Sequence, residues 1–174
     1  MGKTALLLID IQQGLLSEPA SVYRGDEVVA LAADLLRRAR QNGIPVFHVR
    51  HDGGAGDDLA QGMPGWFHHP AVSPAAGEPV IEKTTPSAFV SGELDRRLKA
   101  AGIEKLVIAG LQTDYCIDTN CRVARNLGYD VVLAEDAHST YDGSGLTAAQ
   151  IIGHHNRILS SSTVQLRPAD QIDF

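Results

Sequence analysis

The chain is poor in cysteine and in aromatic residues. Only two of its 174 residues are cysteines, one is tryptophan, and aromatic residues make up 5%. Cys116 and Cys121 are five positions apart in one predicted helix, which excludes a disulfide framework. We therefore expect a protein of a reducing compartment, the cytoplasm. The sequence enters a strand-like segment at once, without the apolar region of a signal peptide.

The chain also lacks a basic bias and a long apolar run. Its 15 basic and 21 acidic residues give a net charge of −6, with no cluster of positive charge. This balance argues against nucleic acid or an anionic membrane surface as a partner. No apolar run approaches the roughly 18 residues of a membrane-spanning helix. The glycines form neither a dinucleotide-binding fingerprint nor a P-loop, so no cofactor is expected.

What the sequence does contain is an alternation of strand-like and helix-like segments. An apolar run without polar alternation at residues 4–10 predicts a strand buried on both faces. Further strands are predicted at 44–50, 80–83, 105–110, 129–134 and 163–166, and helices at 26–41, 92–101, 116–127 and 146–159. The alternation predicts an α/β fold with a parallel sheet, built as one domain over residues 1–174.

One stretch, residues 107–121, is typical of a site that presents a nucleophile. An apolar strand ends at Gly110, a polar loop follows, and Cys116 opens the predicted helix. A helix N-terminus favours negative charge on a thiol. A lone cysteine on a helix can equally be a small buried hydrophobe, and position alone leaves both interpretations open. Cys121 lies more than one turn into the helix, and we interpret it as a packing residue.

Two charged residues come at the ends of other predicted strands. Asp10 follows the first strand and Lys83 ends the third. The carboxyl ends of parallel strands meet at one edge of a sheet, where ligands bind. Asp10 could take the proton of Cys116 and Lys83 could stabilise the thiolate, while backbone N–H groups near the helix start form an oxyanion hole. Asp10 could instead be a solvated loop acid or a cap.

Some of the seven histidines are alternative candidates for a catalytic pair with Cys116 or for metal ligands. His138 follows a predicted strand and is the best placed for a Cys–His pair. His51, His68 and His69 lie in the 51–79 loop beside acidic residues, but their spacing matches no compact metal motif. We interpret them as polar loop residues. The loop is too long for a plain connector, and we predict that it forms a lid or wall over the site.

Four motifs together resemble the isochorismatase-like cysteine hydrolases of the nicotinamidase/isochorismatase superfamily, over residues 5–166. They are LLLIDIQ, IEKTTPSAF, VIAGLQTDYCIDTNCRVA and GYDVVLAEDAHSTYD. The resemblance implies a three-layer α-β-α sandwich with a six-stranded parallel sheet, similar to a Rossmann fold. It also implies catalytic roles for Asp10, Lys83 and Cys116, and a non-proline cis peptide between Leu111 and Gln112. The N–H groups of Gln112 and Cys116 would then form the oxyanion hole.

The activity that the resemblance implies is hydrolysis of a small amide C–N bond through a thioester. Alternatives within the family are vinyl ether hydrolysis of isochorismate, nicotinamidase activity, and a non-catalytic binding role. Nicotinamidases hold a metal; His51 and His69 match two of its ligands, but Val49 occupies the carboxylate position. No metal is therefore predicted. The resemblance also implies a homodimer or a larger homo-oligomer.

Five residues are candidates for the substrate-binding wall by their positions. Each could instead pack in the core. They are Gln12, Trp66, Phe89, Tyr115 and Tyr141.

Overall fold

The protein is built on one parallel sheet of six strands in the order β3-β2-β1-β4-β5-β6. The computed structural model describes residues 2–19 and 21–174; Met1 and Ala20, which the one-domain expectation includes, lie outside the described residues. The strands are β1 Lys3–Ile9, β2 Val46–His51, β3 Val80–Lys83, β4 Ile103–Leu111, β5 Asp130–Ser139 and β6 Gln165–Arg167. The helices are α1 Gly25–Gln41, α2 Glu93–Ala100, α3 Asp118–Asn126 and α4 Ala148–Ser160. The predicted α/β class with a six-stranded parallel sheet is confirmed.

Apolar cores cover both faces of the sheet. Leu7 and Ile9 of β1 pack with Leu94 and Leu98 of α2, in a cluster that also includes residues of α3 and α4. Leu6 and Leu8 point to the other face and pack with residues of α1. Because both faces are covered, β1 is apolar throughout instead of alternating. Each fully buried leucine contributes roughly 1.5–3 kcal/mol.

The two central strands approach closely where β1 ends. Ile9 lies opposite Gly110 in the register of β1 and β4. Gly110 has a φ of 132°, and a Cβ placed there would lie 2.0 Å from the Ile9 carbonyl oxygen. Only glycine combines this backbone conformation with the close approach. The contact fixes the position at which Asp10 leaves the sheet.

Strand β5 is longer than the sequence predicted. The pairing with β4 is interrupted between Ile108 and Gly110, and it resumes with Gly110 opposite His138. The irregularity lets the polar residues after Ala134 rejoin the sheet, so the apolar pattern ended before the strand did. The prediction that His138 follows a strand is therefore wrong, since His138 lies within β5.

The helix that carries the cysteines begins earlier and differently than predicted. A π-helical turn at Thr113–Ile117 precedes α3. Cys116 lies inside this turn and does not open a regular α-helix. Turns of this kind occur often at functional sites.

The loop after β2 is anchored along its length. Two 3₁₀ turns, Pro64–Trp66 and Pro70–Val72, give it local structure. Leu59, Trp66 and Val72 are buried, whereas Phe67 is 46% exposed.

Within the described chain, no helix is long and apolar enough to cross a membrane.

Candidate active site

The structure brings Asp10, Lys83 and Cys116 together at the carboxyl edge of the sheet. The Lys83 Nζ atom is 2.7 Å from Asp10 Oδ2 and 3.2 Å from Cys116 Sγ. Asp10 and Lys83 are buried, and Cys116 is half-buried. A cation thus lies between a carboxylate and a thiol in a place of low solvent access, where charges interact strongly.

Asp10 is held by an unusual backbone conformation. Its φ of 51° lies in the left-handed region, which asparagine and aspartate tolerate better than most residues. Its N–H donates to the Val49 carbonyl at 3.0 Å, and its own carbonyl accepts from the Gln12 N–H at 2.8 Å. Strain of this kind costs roughly 1–3 kcal/mol and gathers at functional sites. Within the described residues, Asp10 Oδ1 has no hydrogen-bond partner.

Lys83 contacts a third group, His51. The Lys83 Nζ atom is 3.3 Å from His51 Nδ1. Burial, followed by the charge of Lys83, lowers the pKa of His51 below its usual range. His51 is therefore neutral near pH 7, and its Nδ1 accepts a hydrogen bond from the ammonium group.

The loop before Cys116 is fixed by backbone and side-chain bonds. The peptide between Leu111 and Gln112 is cis. The Gln112 carbonyl accepts from the N–H groups of Tyr115 at 3.2 Å and Ile117 at 3.0 Å. Thr140 Oγ1 donates to Asp114 Oδ1 at 2.6 Å, which ties the loop to the end of β5.

The electrostatics of Cys116 differ from the expectation. Burial, followed by the charge of Asp10, raises the pKa of the thiol to about 12, although Lys83 acts in the opposite direction. The sequence-based expectation was that a helix N-terminus favours the thiolate, whereas burial and Asp10 favour the protonated thiol in this structure. With this raised pKa, the Cys116 thiol is protonated near pH 7.

The three side chains lie beside a cavity of about 430 Å³. Asp10 and Cys116 line it, together with His51, Asp57, Asp58 and Tyr115 among others. A cavity of about 480 Å³ lies at the opposite, amino-terminal edge of the sheet and contains none of the three. The 430 Å³ cavity is therefore the one that borders the three grouped side chains, and its size suits a small molecule.

Of the five predicted wall residues, Tyr115 lines this cavity, with 57% of its surface exposed. Gln12 is fully buried and serves as a structural tie. Its Nε2 donates to the carbonyls of His51 and Trp66, both at 2.9 Å, and its Oε1 accepts from the His51 N–H at 2.9 Å. Both ends of the amide are occupied, so the prediction that Gln12 binds substrate is not supported.

The other three wall candidates also pack elsewhere. The Arg50 guanidinium lies 3.3 Å from the ring centre of Trp66. Phe89 belongs to the core cluster on the α2 side of the sheet. The Tyr141 hydroxyl donates to the Leu15 carbonyl at 3.1 Å, and its ring packs beside Leu111. Position along the chain did not reveal these orientations, because loop geometry sets them.

His138 is not placed as a base for Cys116. Its Nε2 is 2.9 Å from Asn156 Oδ1, and its Nδ1 is 2.8 Å from Thr113 Oγ1. The Asn156 amide nitrogen donates to the Glu135 carbonyl, so its oxygen accepts from His138 Nε2–H. Nδ1 must then accept from Thr113. Burial lowers the pKa of His138 to about 4, and both ring nitrogens are occupied in supporting the loop.

Two of the histidines considered as metal ligands make hydrogen bonds with different partners. His51 accepts from Lys83, and His69 Nδ1 accepts from the Ala71 N–H at 3.3 Å. Across residues 2–19 and 21–174, no group of three or more His, Cys, Asp or Glu side chains could hold a metal ion.

Asn120 is a further residue of the site that the sequence did not predict. This fully buried residue donates from Nδ2 to the carbonyls of Cys116 at 2.7 Å and Pro86 at 2.9 Å, and its Oδ1 accepts from the Ala88 N–H at 2.8 Å. It therefore joins the turn that carries Cys116 to the loop after β3. The available signal was a polar residue four positions after Cys116, which places it on the same helix face.

Comparison with known proteins agrees with this architecture. A family model described as the isochorismatase domain matches residues 4–153. A crystal structure described as an isochorismatase from Pseudomonas putida KT2440 superposes with a TM-score of 0.94 at 33% identity, covering 98% of this chain and 90% of that one.

Two curated relatives have named activities. A streptothricin hydrolase from Streptomyces noursei is 38% identical over 138 residues, which are 79% of this chain and 50% of the relative. A maleamate amidohydrolase from Pseudomonas putida is 34% identical over 151 residues, which cover 77% of this chain and 71% of that protein. The chain spans about half the length of the streptothricin hydrolases that it matches. By the domain match and the structural similarity, the chain belongs to the isochorismatase family of hydrolases.

Proposed function

We propose that the protein hydrolyses the C–N bond of a small amide, with Cys116 as nucleophile, Asp10 as proton carrier and Lys83 as the supporting cation. The observation that carries the proposal is the placement of Lys83 Nζ, 2.7 Å from Asp10 and 3.2 Å from Cys116 beside a 430 Å³ cavity. The relatives named for hydrolysis of streptothricin and maleamate support an amide as substrate.

In the first half-reaction, Asp10 takes the Cys116 proton as the sulfur attacks the amide carbon. The C–S bond forms, and the carbonyl oxygen becomes an oxyanion, stabilised by the backbone N–H groups of Gln112 and Cys116. The tetrahedral intermediate collapses when the C–N bond breaks. The nitrogen takes the proton from Asp10 and leaves as an amine or ammonia, with the acyl group held as a thioester.

In the second half-reaction, Asp10 takes a proton from water, whose oxygen attacks the thioester carbon. The C–S bond breaks, the carboxylic acid leaves, and the proton returns to Cys116. Lys83 keeps its charge throughout. It stabilises the Asp10 carboxylate in the resting site and the sulfur anion when it forms.

The raised pKa of Cys116, about 12, is compatible with this order of events. A thiol that is neutral at rest needs a base close by, and Asp10 Oδ1 has no hydrogen-bond partner in the described structure. Asp10 also raises the pKa of the thiol, as expected for a carboxylate near the sulfur.

We further propose that this chemistry takes place in the cytoplasm, which is consistent with two free cysteines. We also propose that the protein forms a homodimer or a larger homo-oligomer. Size-exclusion chromatography with light scattering measures the assembly directly. A monomeric mass at micromolar concentration would contradict that part of the proposal.

The test is release of ammonia or amine from a panel of small amides, with isochorismate and nicotinamide as competing substrates. Cys116→Ala and Asp10→Asn should abolish turnover while the proteins remain folded. Cys121→Ala, which removes the buried second thiol, should retain it. In a quenched reaction, mass spectrometry should find the acyl group on the peptide that contains Cys116. Full activity in Cys116→Ala would overturn the proposal, and turnover of isochorismate alone would replace it with vinyl ether hydrolysis.

A further inference from the structure

The wall of the candidate active-site cavity carries an unbalanced negative charge. Its described lining includes the carboxylates of Asp10, Asp57 and Asp58, and no lysine or arginine. Lys83 pairs with Asp10. In the part of the chain that the structure describes, no ion pair involves Asp57 or Asp58. Two carboxylates in the wall therefore remain uncompensated.

The segment that carries these carboxylates is anchored to the fold. Leu59 is buried, and its carbonyl accepts from the Gly53 N–H at 3.2 Å. Asp57 Oδ1 accepts from the Leu59 N–H at 2.7 Å. A Cβ at Gly53 would lie 2.3 Å from the same Asp57 oxygen, so the carboxylate packs directly against the backbone of residue 53. The fold thus holds Asp57 beside the cavity.

Other groups in the cavity do not offset this charge. Burial and the neighbouring Lys83 lower the pKa of His51, so its ring is neutral near pH 7. Tyr115, more than half exposed, presents an aromatic ring at the same wall, a group to which cations bind favourably. Asp10 Oδ1, 1% exposed in the same lining, lacks a hydrogen-bond partner from the described residues. Because Asp10 is ion-paired with Lys83, it adds no net charge to the cavity.

From this arrangement we infer that the site selects amides that carry a positively charged group, such as an ammonium, and disfavours amides that carry a carboxylate. Asp57 and Asp58 are the specificity-determining residues. The selection of amides rests on the function proposed above, whereas the selection of charge rests on the cavity wall. Asp57 and Asp58 are exposed at the cavity wall, and carboxylates in that place attract a cation and repel an anion.

The charge of the cavity can be measured without any amide turnover. The probes are two methanethiosulfonates of similar size, one with a trimethylammonium group and one with a sulfonate. Each forms a mixed disulfide with Cys116 and releases methanesulfinate. After correction for their rates with a free thiol, the cationic reagent should modify Cys116 about ten-fold faster at low ionic strength. Added salt should reduce the ratio, because it screens the wall charges.

The variants Asp57→Asn and Asp58→Asn, singly and together, remove the charge while keeping the shape. Asparagine at position 57 retains an oxygen for the Leu59 N–H. The double variant should bring the ratio close to one. Asp173→Asn, an exposed change that alters the net charge as much as either single variant does, is the matched control for the single variants and should keep the wild-type ratio. A ratio near one in the wild type, or one unchanged in the double variant, would overturn the inference.

A second arm uses three amides of similar length: β-alaninamide, butanamide and succinamate, which are cationic, neutral and anionic. We expect kcat/KM to decrease in that order. The double variant should lower the ratio of the first to the second about ten-fold. If no amide is hydrolysed while the thiol probes show the ratio, the proposed function fails and the charge selection stands. If all three are hydrolysed equally by both proteins, the function stands and the charge selection fails.

Discussion

Asn120 Nδ2 lies 2.7 Å from the carbonyl oxygen of Cys116, one helical turn earlier, and the same nitrogen also donates to Pro86. Through one buried amide, the turn that carries Cys116 is attached to a loop that lines the cavity. In the proposed mechanism Asn120 touches no reacting atom, and we expect it to act as a positioning residue.

Asn120→Ala should lower both stability and activity. The change leaves the buried Ala88 N–H without its acceptor and removes two donated hydrogen bonds. The expected loss is about 2–4 kcal/mol of unfolding free energy. Urea unfolding and amide turnover under conditions where the variant is folded provide the two measurements. Asn126→Ala on the exposed face of the same helix is the control, and equal effects in the two variants would contradict the assigned role.

The thiol of Cys116 should be slow to alkylate at neutral pH. With a pKa raised to about 12, it should react with iodoacetamide more slowly at pH 7–8 than a free cysteine does, and the rate should still rise above pH 9. Peptide mass mapping identifies the modified cysteine. A plateau near pH 8 would show that burial does not control this group.

Asp10→Asn should separate reactivity from catalysis. The carboxylate raises the pKa of Cys116, so its removal should speed alkylation at pH 8–9. The same variant should lose amide turnover, because it removes the proposed proton carrier. Lys83→Ala should slow alkylation, since the cation lowers the pKa of the thiol. Slower alkylation in Asp10→Asn would contradict this account of the site.

His138 should destabilise the protein in acid. Burial lowers its pKa to about 4 in the folded state, whereas an unfolded histidine binds a proton near pH 6.5. The unfolded state therefore binds more protons between these values. Stability is complete above pH 6.5 and falls on the order of 3 kcal/mol as the pH drops to 4.

His138→Gln removes this titration, so its stability should depend less on pH between 4 and 6.5 than that of the wild type. Denaturant unfolding at several pH values measures the difference. His154→Gln at an exposed position is the control. Parallel pH curves for wild type and His138→Gln would show that the histidine does not contribute this acid sensitivity.

Two glycine substitutions should act in opposite directions. Gly110→Ala places a Cβ against the Ile9 carbonyl at a φ of 132°, and it should cost more than about 3 kcal/mol or prevent folding. Gly153→Ala, in α4 with nothing within 4 Å, should stabilise the protein by about 0.5–1 kcal/mol. Thermal or urea unfolding of the two variants is the measurement. A mild effect at Gly110 would contradict the close approach of β1 and β4.

The sequence alone was enough to predict the parallel sheet and the grouping of Asp10, Lys83 and Cys116 at its edge. Strands such as β1 are buried on both faces, so their apolar runs are visible in the residue order. Parallel strands end at one edge, which was enough to group Asp10, Lys83 and Cys116 before any distance was known. The extension of β5 was hidden, because its second half is polar and pairs only after an irregularity in the register.

Only the tertiary structure decided what each neighbouring side chain does. Gln12, Trp66 and Phe89 have the residue types of a pocket wall, yet their hydrogen bonds and packing direct them elsewhere. The pKa of Cys116 depends on its burial and on the carboxylate beside it, and neither is a property of local sequence. Residues far apart in the chain together set the side-chain orientations and the pKa of Cys116. Both become defined only when the loops have packed against the sheet.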